Sequence, residues 1–228
     1  MKRRIGFLAL AASWIAASAV AADTVSVETK SIRVEFNDRM HSRIVATFDG
    51  KAAPLGDFGP SEFVNVAGGA PLQDFHLTGH KQENVRDDRG HGRRLTITGT
   101  AAGLQKRVVV TVYDEIPRMA FYQVRYTNQS DHELKLSGWA NNRYSVQAEG
   151  AAEPAFWSYQ PGSYRNRPDW ILPLKGDFKQ DNYLGMNATD YGGGTPVADV
   201  WRRDVGIAVG HLERAPKLVA LPVTRPDA

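Results

Sequence analysis

Apolar and polar side chains alternate along much of this sequence with a period of two residues, which is typical of β-strands that bury one face. β-Branched and aromatic side chains are enriched at the apolar positions, as they are in strands generally. The alternating segments are residues 25–27, 32–36, 44–48, 95–97, 120–126, 134–136 and 207–209. Residues 108–113 are almost continuously apolar and predict a strand buried on both sides, and residues 218–223 predict the last strand. No stretch of a dozen residues has the spacing of an amphipathic helix, so the pattern predicts an antiparallel all-β fold.

Two long stretches, residues 50–92 and 148–195, break this rhythm. The first is rich in glycine, proline, aspartate and histidine, and the second contains several prolines and three consecutive glycines at 192–194. Loops of this length are uncommon in a compact domain unless they bind a ligand or pack on another surface. We therefore expect one large antiparallel β-sandwich over residues 23–228, with two long loops of functional interest.

The first 22 residues have the character of a secretory signal peptide. Basic residues at the start precede an apolar run at positions 5–20, which is shorter than the roughly 20 residues needed to span a bilayer. The small residues expected before a cleavage site are Ala19 with Ala21, or Val20 with Ala22. The sequence thus predicts a periplasmic or secreted protein that has no contact with the membrane after cleavage.

Composition and charge narrow the class of function further. Without Lys2, Arg3 and Arg4 the chain has 25 basic and 25 acidic residues, and a neutral protein has no electrostatic drive towards nucleic acid. The absence of cysteine excludes thiol nucleophiles and thiolate metal sites. His76 and His80 are four residues apart, but their surroundings are not helical in pattern and no third ligand has a suitable spacing. We therefore predict neither a metal nor a cofactor.

The second irregular stretch combines aromatic residues with side chains that hydrogen-bond to hydroxyl groups. Trp157, Tyr159, Tyr164 and Trp170 offer flat apolar faces for the C–H side of a pyranose ring, and aspartate, asparagine and arginine suit its hydroxyls. The alternative is that these aromatic residues form a cluster that fixes a long loop to the sandwich. Six carboxylates are candidates for glycoside hydrolysis by residue type alone: Asp169, Asp177, Asp181, Asp190, Asp199 and Asp204.

The C-terminal part of the chain carries a more specific pattern. Residues 190–213 read DYGGGTPVADVWRRDVGIAVGHLE, and residues 216–223 read PKLVALPV. This segment resembles the end of the N-terminal β-sandwich in bacterial, exported α-galactosidase-like proteins related to glycoside hydrolase family 36. Residues 36–44 are similar in character to the opening of that sandwich, and the resemblance covers roughly residues 24–223.

The resemblance implies a multidomain enzyme whose first domain is a large β-supersandwich of the galactose-mutarotase type. In such proteins a (β/α)8 barrel follows and supplies two catalytic aspartates, a nucleophile and an acid/base, for a retaining reaction. The present sequence has no alternation of strands and helices, so we expect the barrel to be absent from this chain. No residue here matches the family's catalytic aspartates.

The predicted function is therefore that of a non-catalytic domain that packs on its own C-terminal barrel. Its loops are expected to contribute to a pocket for carbohydrates of the α-galactoside type, with Trp201 and Arg202 behind the loop at 190–194. The predicted substrate-binding residues are Asp190, Tyr191, Gly192, Gly193, Trp157 and Trp170. Two alternatives remain, a free-standing carbohydrate-binding sandwich and a sandwich that only mediates protein association.

Overall fold

The computed structural model describes residues 24–147, 155–159, 171–184, 197–212 and 219–226. Within these ranges the chain forms nineteen β-strands and no helix. Every strand pairing recorded among them is antiparallel. A search of the same ranges finds no helix with the length and apolar character needed to cross a membrane. The prediction of an antiparallel all-β fold is confirmed.

The strands divide among four sheets and two short ribbons. Sheet A consists of β1 (Val25–Glu28), β2 (Ile32–Phe36), β3 (Ser42–Phe48) and β4 (Lys51–Pro54). Sheet B has the order β11-β5-β6 and consists of β5 (Phe63–Val66), β6 (Pro71–Leu72) and β11 (Leu136–Ala140). Sheet C consists of β7 (His76–Asp87), β8 (Gly90–Ala101), β9 (Leu104–Tyr113) and β10 (Ala120–Asn128).

Sheet D has the order β13-β12-β16-β17. Its strands are β12 (Phe156–Tyr159), β13 (Ile171–Leu174), β16 (Val197–Trp201) and β17 (Gly206–Gly210). The two ribbons pair β14 (Phe178–Gln180) with β19 (Val223–Arg225), and β15 (Tyr183–Leu184) with β18 (Val219–Ala220). The described strands thus form six small sheets rather than the two large ones of the expected supersandwich. Alternation predicts strands, but it does not predict which strands pair.

Three further expectations about local structure are wrong. The first is the long loop at residues 148–195, since its described residues include β12, β13, β14 and β15. Residues 50–92 are not a long loop, because they contain β4, β5, β6 and the twelve-residue β7. β7 lies at the edge of sheet C and is polar on both faces, so it lacks the alternation that marks a half-buried strand. Residues 218–223 do not form one strand, because Leu221 and Pro222 separate β18 from β19.

The largest core lies between sheets A and C, with contributions from sheet B. Its buried residues are Val27, Val34, Phe36, Met40, Val64, Phe75, Leu95, Ile97, Leu104, Val108, Val110 and Val112. Val34 pairs with Ile44 across β2 and β3, so both side chains project from one face of sheet A. Ile44, however, belongs to a second cluster, in which Val205 and Ile207 of the β16–β17 hairpin pack against it. One face of sheet A therefore supports both sheet C and sheet D.

A buried lysine connects sheet C to two loops. The Lys106 side chain is fully buried, and its Nζ donates hydrogen bonds to the backbone carbonyls of Glu62 at 2.9 Å and Met40 at 3.4 Å. The same nitrogen lies 4.4 Å from the centre of the Phe75 ring. Burial lowers the pKa of Lys106 to about 8, although the nearby Glu62 and Asp74 carboxylates favour the charged form. The amine thus satisfies carbonyl groups that would otherwise be left without a partner in the core.

We expect Lys106 to make the stability of the fold depend on pH in the alkaline range. Its pKa is about 8 in the folded protein and 10.5 in an unfolded chain, so the folded state releases its proton first. The free energy of unfolding should therefore gain on the order of 3 kcal/mol between pH 8 and 10.5 from this group. Urea unfolding of the native chain and of Lys106→Met over this range measures the difference. The exposed Lys81→Met variant is the control, and equal pH slopes in native chain and Lys106→Met would contradict the assignment.

Candidate functional site

Sheet D has one buried and one solvent-facing side. On β12, Phe156 and Ser158 are buried, whereas Trp157 is 37% exposed and Tyr159 is half-buried. Phe156 packs in a cluster with Leu174 of β13 and Ala198 of β16. This alternation is what a strand at the surface of a core requires. It places the indole of Trp157 on the outer face of the sheet.

The pairing register gathers further residues around Trp157. Trp157 lies opposite Pro173 of β13 and opposite Trp201 of β16. Trp201 in turn lies opposite Gly206 of β17. Residues that pair directly across strands project from the same face, so these four form one row across the sheet. Two tryptophans far apart in sequence are therefore neighbours.

A second row on the same face contains a carboxylate. Tyr159 lies opposite Ile171 of β13, and its backbone N–H donates to Asp199 Oδ1 at 2.7 Å. The Ser158 hydroxyl donates to the backbone carbonyl of Asp199. Asp199 pairs with Ala208 on the other side. These contacts fix the Asp199 carboxylate two residues along the strand from Trp201.

The outer strand β17 leaves this face open. Its residues on the outer side are Gly206, Ala208 and Gly210, which carry at most a methyl group. A Cβ on Gly206 would lie 2.7 Å from the Cβ of Trp201, so only glycine fits beneath that side chain. The close approach comes from the tight turn between the strands, in which Arg202 N–H donates to the Val205 carbonyl at 2.8 Å.

The loop at 190–194, behind which Trp201 and Arg202 were predicted to lie, is outside the described residues. Arg202 does not lie on the outer face with Trp201. Its guanidinium lies 5.4 Å from the ring centre of Phe156, which is on the inner side of the sheet. It also contacts both carboxylate oxygens of Asp204, at 2.6 and 3.2 Å. These hydrogen bonds lower the pKa of Asp204. Adjacent residues along an extended chain point to opposite sides of a sheet. Trp201 therefore points outward, and Arg202 points inward.

Most of the predicted binding residues lie outside the described residues. These are Trp170, Asp190, Tyr191, Gly192 and Gly193. The described residues that border them are informative, because Tyr159, Ile171, Val197 and Gly210 all lie at the same end of sheet D. That end of the described sheet lies next to the row that contains Asp199.

The buried carboxylates of the described residues are Glu35 and Glu62. Glu35 accepts hydrogen bonds from Arg33 Nε at 2.6 Å and Arg43 Nε at 2.5 Å. Glu62 is fully buried, burial raises its pKa, and its Oε2 accepts a hydrogen bond from the Ser61 hydroxyl at 2.6 Å. Both groups are shielded from solvent, so neither is placed to protonate a glycosidic oxygen.

Glu62 continues into a chain of buried hydroxyl groups. The hydroxyls of Ser61 and Ser42 are hydrogen-bonded at 2.6 Å, and Tyr144 lies 3.5 Å beyond Ser42. Tyr144 then donates to the Tyr122 hydroxyl at 3.2 Å, and burial raises the pKa of both tyrosines. These hydrogen bonds give the buried hydroxyl groups partners inside the fold. In the described part of the chain no group of three metal-binding side chains occurs.

Comparison with known proteins gives one distant relationship. No family model matches the sequence. The chain is 28% identical over 182 residues to the A type blood α-D-galactosamine galactosaminidase of Flavonifractor plautii. The match includes 76% of this chain but only 16% of the length of the galactosaminidase. The chain is thus distantly related to a glycoside hydrolase and corresponds to a small part of it.

We expect Gly206→Ala to disturb the aromatic row, because the added methyl group would collide with Trp201. Overpacking of this kind costs about 1–3 kcal/mol of stability. Urea unfolding and the near-ultraviolet circular dichroism of the tryptophans report the two effects. Gly59→Ala is the matched control, since a Cβ at Gly59 has no neighbour within 4 Å. Equal stability and equal spectra in the two variants would refute the packing described here.

Proposed function

We propose that this chain is a non-catalytic domain of an exported glycoside hydrolase that acts on α-galactosides or α-galactosaminides. The observation that carries the proposal is the match of most of the chain to 16% of a galactosaminidase. A segment of that size is a domain of a larger enzyme, and the catalytic part lies in the remainder. Residues 1–22 would direct the protein to the periplasm or out of the cell.

The carboxylates of the chain support a non-catalytic role. Glycoside hydrolysis requires two carboxyl groups on opposite sides of the scissile bond, one of them able to donate a proton. In the described residues Glu35 and Glu62 are held inside the fold, and Asp199 is fixed to β12 by the Tyr159 N–H. The arrangement suits binding and support, and the family resemblance assigns the catalytic aspartates to a barrel.

An apolar end of sheet D supports docking on a catalytic part. Eight large hydrophobic residues are exposed among the described residues, and Ile171, Val197 and Leu212 lie at or just beyond one end of this sheet. Leu212 is 75% exposed and lies two residues after the end of β17. Clustered apolar side chains in water are typical of protein interfaces. We therefore place the docking surface at this end, beside the outer aromatic row.

The docking proposal is tested by introducing a charged side chain at the apolar end of sheet D. We expect the coding sequence after codon 228 in the genome to encode a (β/α)8 barrel, which can be expressed separately and titrated with this chain. Leu212→Glu should weaken the complex about tenfold or more, because burying an unpaired carboxylate is costly. Leu136→Glu, 46% exposed on sheet B, is the matched control. The absence of a barrel-coding sequence, or equal affinities for both variants, would disprove the proposal.

The catalytic proposal is tested by activity. We expect the isolated chain to hydrolyse a chromogenic α-galactoside or α-galactosaminide no faster than buffer, because Glu35 and Glu62 are enclosed in the fold and the family resemblance assigns the catalytic aspartates to a barrel. The separately expressed barrel should hydrolyse the same substrate. Release of the chromophore at enzyme-like rates by the isolated chain would show that its own carboxylates are catalytic.

A further inference from the structure

We infer that the outer face of sheet D binds a pyranose ring, which stacks on the Trp157–Trp201 pair and donates hydroxyl hydrogen bonds to Asp199. The inference takes from the proposed function only the choice of sugar for the experiment. It concerns this chain alone and does not require docking on a catalytic part.

The apolar half of the site is the row across the four strands. Trp157 and Trp201 lie opposite each other on adjacent strands, a pairing that places two side chains on the same face about 5 Å apart at Cβ. Pro173 borders the row on one side and Gly206 on the other, and neither rises far above the sheet. The row thus presents two indoles and a proline on one face of the sheet, which are apolar groups of the kind that pack against the C–H face of a pyranose.

The polar half of the site is Asp199. It lies two residues along β16 from Trp201, which corresponds to roughly 6.6 Å along the strand. A ring stacked on the indoles would thus place the hydroxyls of its rim near this carboxylate. The Tyr159 N–H holds Oδ1 at 2.7 Å and orients the group before any ligand arrives. Hydrogen bonds from hydroxyls to a fixed carboxylate are charge-assisted and therefore strong.

Exposure alone does not select this face, as a second tryptophan shows. Trp139 of β11 is 52% exposed, more than Trp157. Its row, however, continues to Val64 of β5 and Leu72 of β6, which are both apolar. The Trp139 row therefore lacks a second indole, and the carboxylate two residues along the chain from Val64, Glu62, is fully buried. This makes Trp139 a matched control for Trp157.

The experiment measures binding of methyl α-D-galactopyranoside and methyl N-acetyl-α-D-galactosaminide to the chain by saturation-transfer NMR and by tryptophan fluorescence. Sorbitol, which has the hydroxyls but no ring, is the ligand control. We expect saturable binding of at least one glycoside and none of sorbitol. Trp157→Ala should weaken binding roughly tenfold or more, whereas Trp139→Ala should leave it unchanged. The absence of saturable binding by the native chain would overturn the inference.

Two conservative variants separate binding from folding. Trp157→Phe keeps an aromatic ring and should recover part of the affinity lost in Trp157→Ala. Asp199→Asn keeps an oxygen that can accept from the Tyr159 N–H, so it should retain the fold but weaken binding several-fold. Thermal unfolding of each variant checks that the fold is intact. If Asp199→Asn binds the sugar with full affinity, the carboxylate is not part of the binding site. If Trp157→Ala and Trp139→Ala lose the same affinity, the Trp157 indole is not part of it.

Sugar binding and docking are measured separately, so their failures can be told apart. Sugar binding without docking would overturn the proposed function and leave a free-standing carbohydrate-binding module. Docking without sugar binding would overturn this inference alone. If Trp157→Ala weakens docking and the native chain binds no sugar, the outer face is a protein contact instead.

Discussion

The architecture depends on one face of sheet A that packs against two different partners. Towards β1 and β2 this face contributes Val34 and Phe36 to the core with sheet C. Towards β3 and β4 it contributes Ile44 and Ala46 to a cluster with the β16–β17 hairpin. Because side chains alternate along β17, packing its inner residues against sheet A necessarily turns the opposite residues outward. The outer aromatic row is thus a consequence of how sheet D is anchored.

The strands that could be predicted from the sequence are those with one face in the core. β8 and β10 alternate visibly because burial selects every second residue over much of each strand. β7 could not be predicted in this way. Its hydrogen bonds to β8 hold it in place along twelve residues, while both of its faces carry polar side chains. Backbone pairing leaves no signature in the side-chain pattern. Charged side chains are also favoured on an edge strand because they prevent it from pairing with other molecules.

Individual residues of the site could be predicted from the sequence, but their arrangement in space could not. Trp157 stands out in the sequence as an aromatic residue in a polar, proline-rich stretch. Its contact with Trp201 depends on the register between β12 and β16, and no local rule relates two strands so far apart along the chain. The spacing of Gly206, Ala208 and Gly210 was a visible signal. Small residues at every second position mark a strand face that something large approaches closely.

The distribution of acidic groups separates binding from chemistry. A carboxyl group that donates a proton to a sugar needs a raised pKa, so that it is protonated, and it must also be in contact with the ligand. Burial raises the pKa of Glu62, but the same burial encloses it completely. Asp199 lies on the outer face of sheet D, where its Oδ1 accepts a hydrogen bond from the Tyr159 N–H. In the described residues the two requirements are not met together by Glu62 or by Asp199, which is what we expect of a chain that recognises a sugar without hydrolysing it.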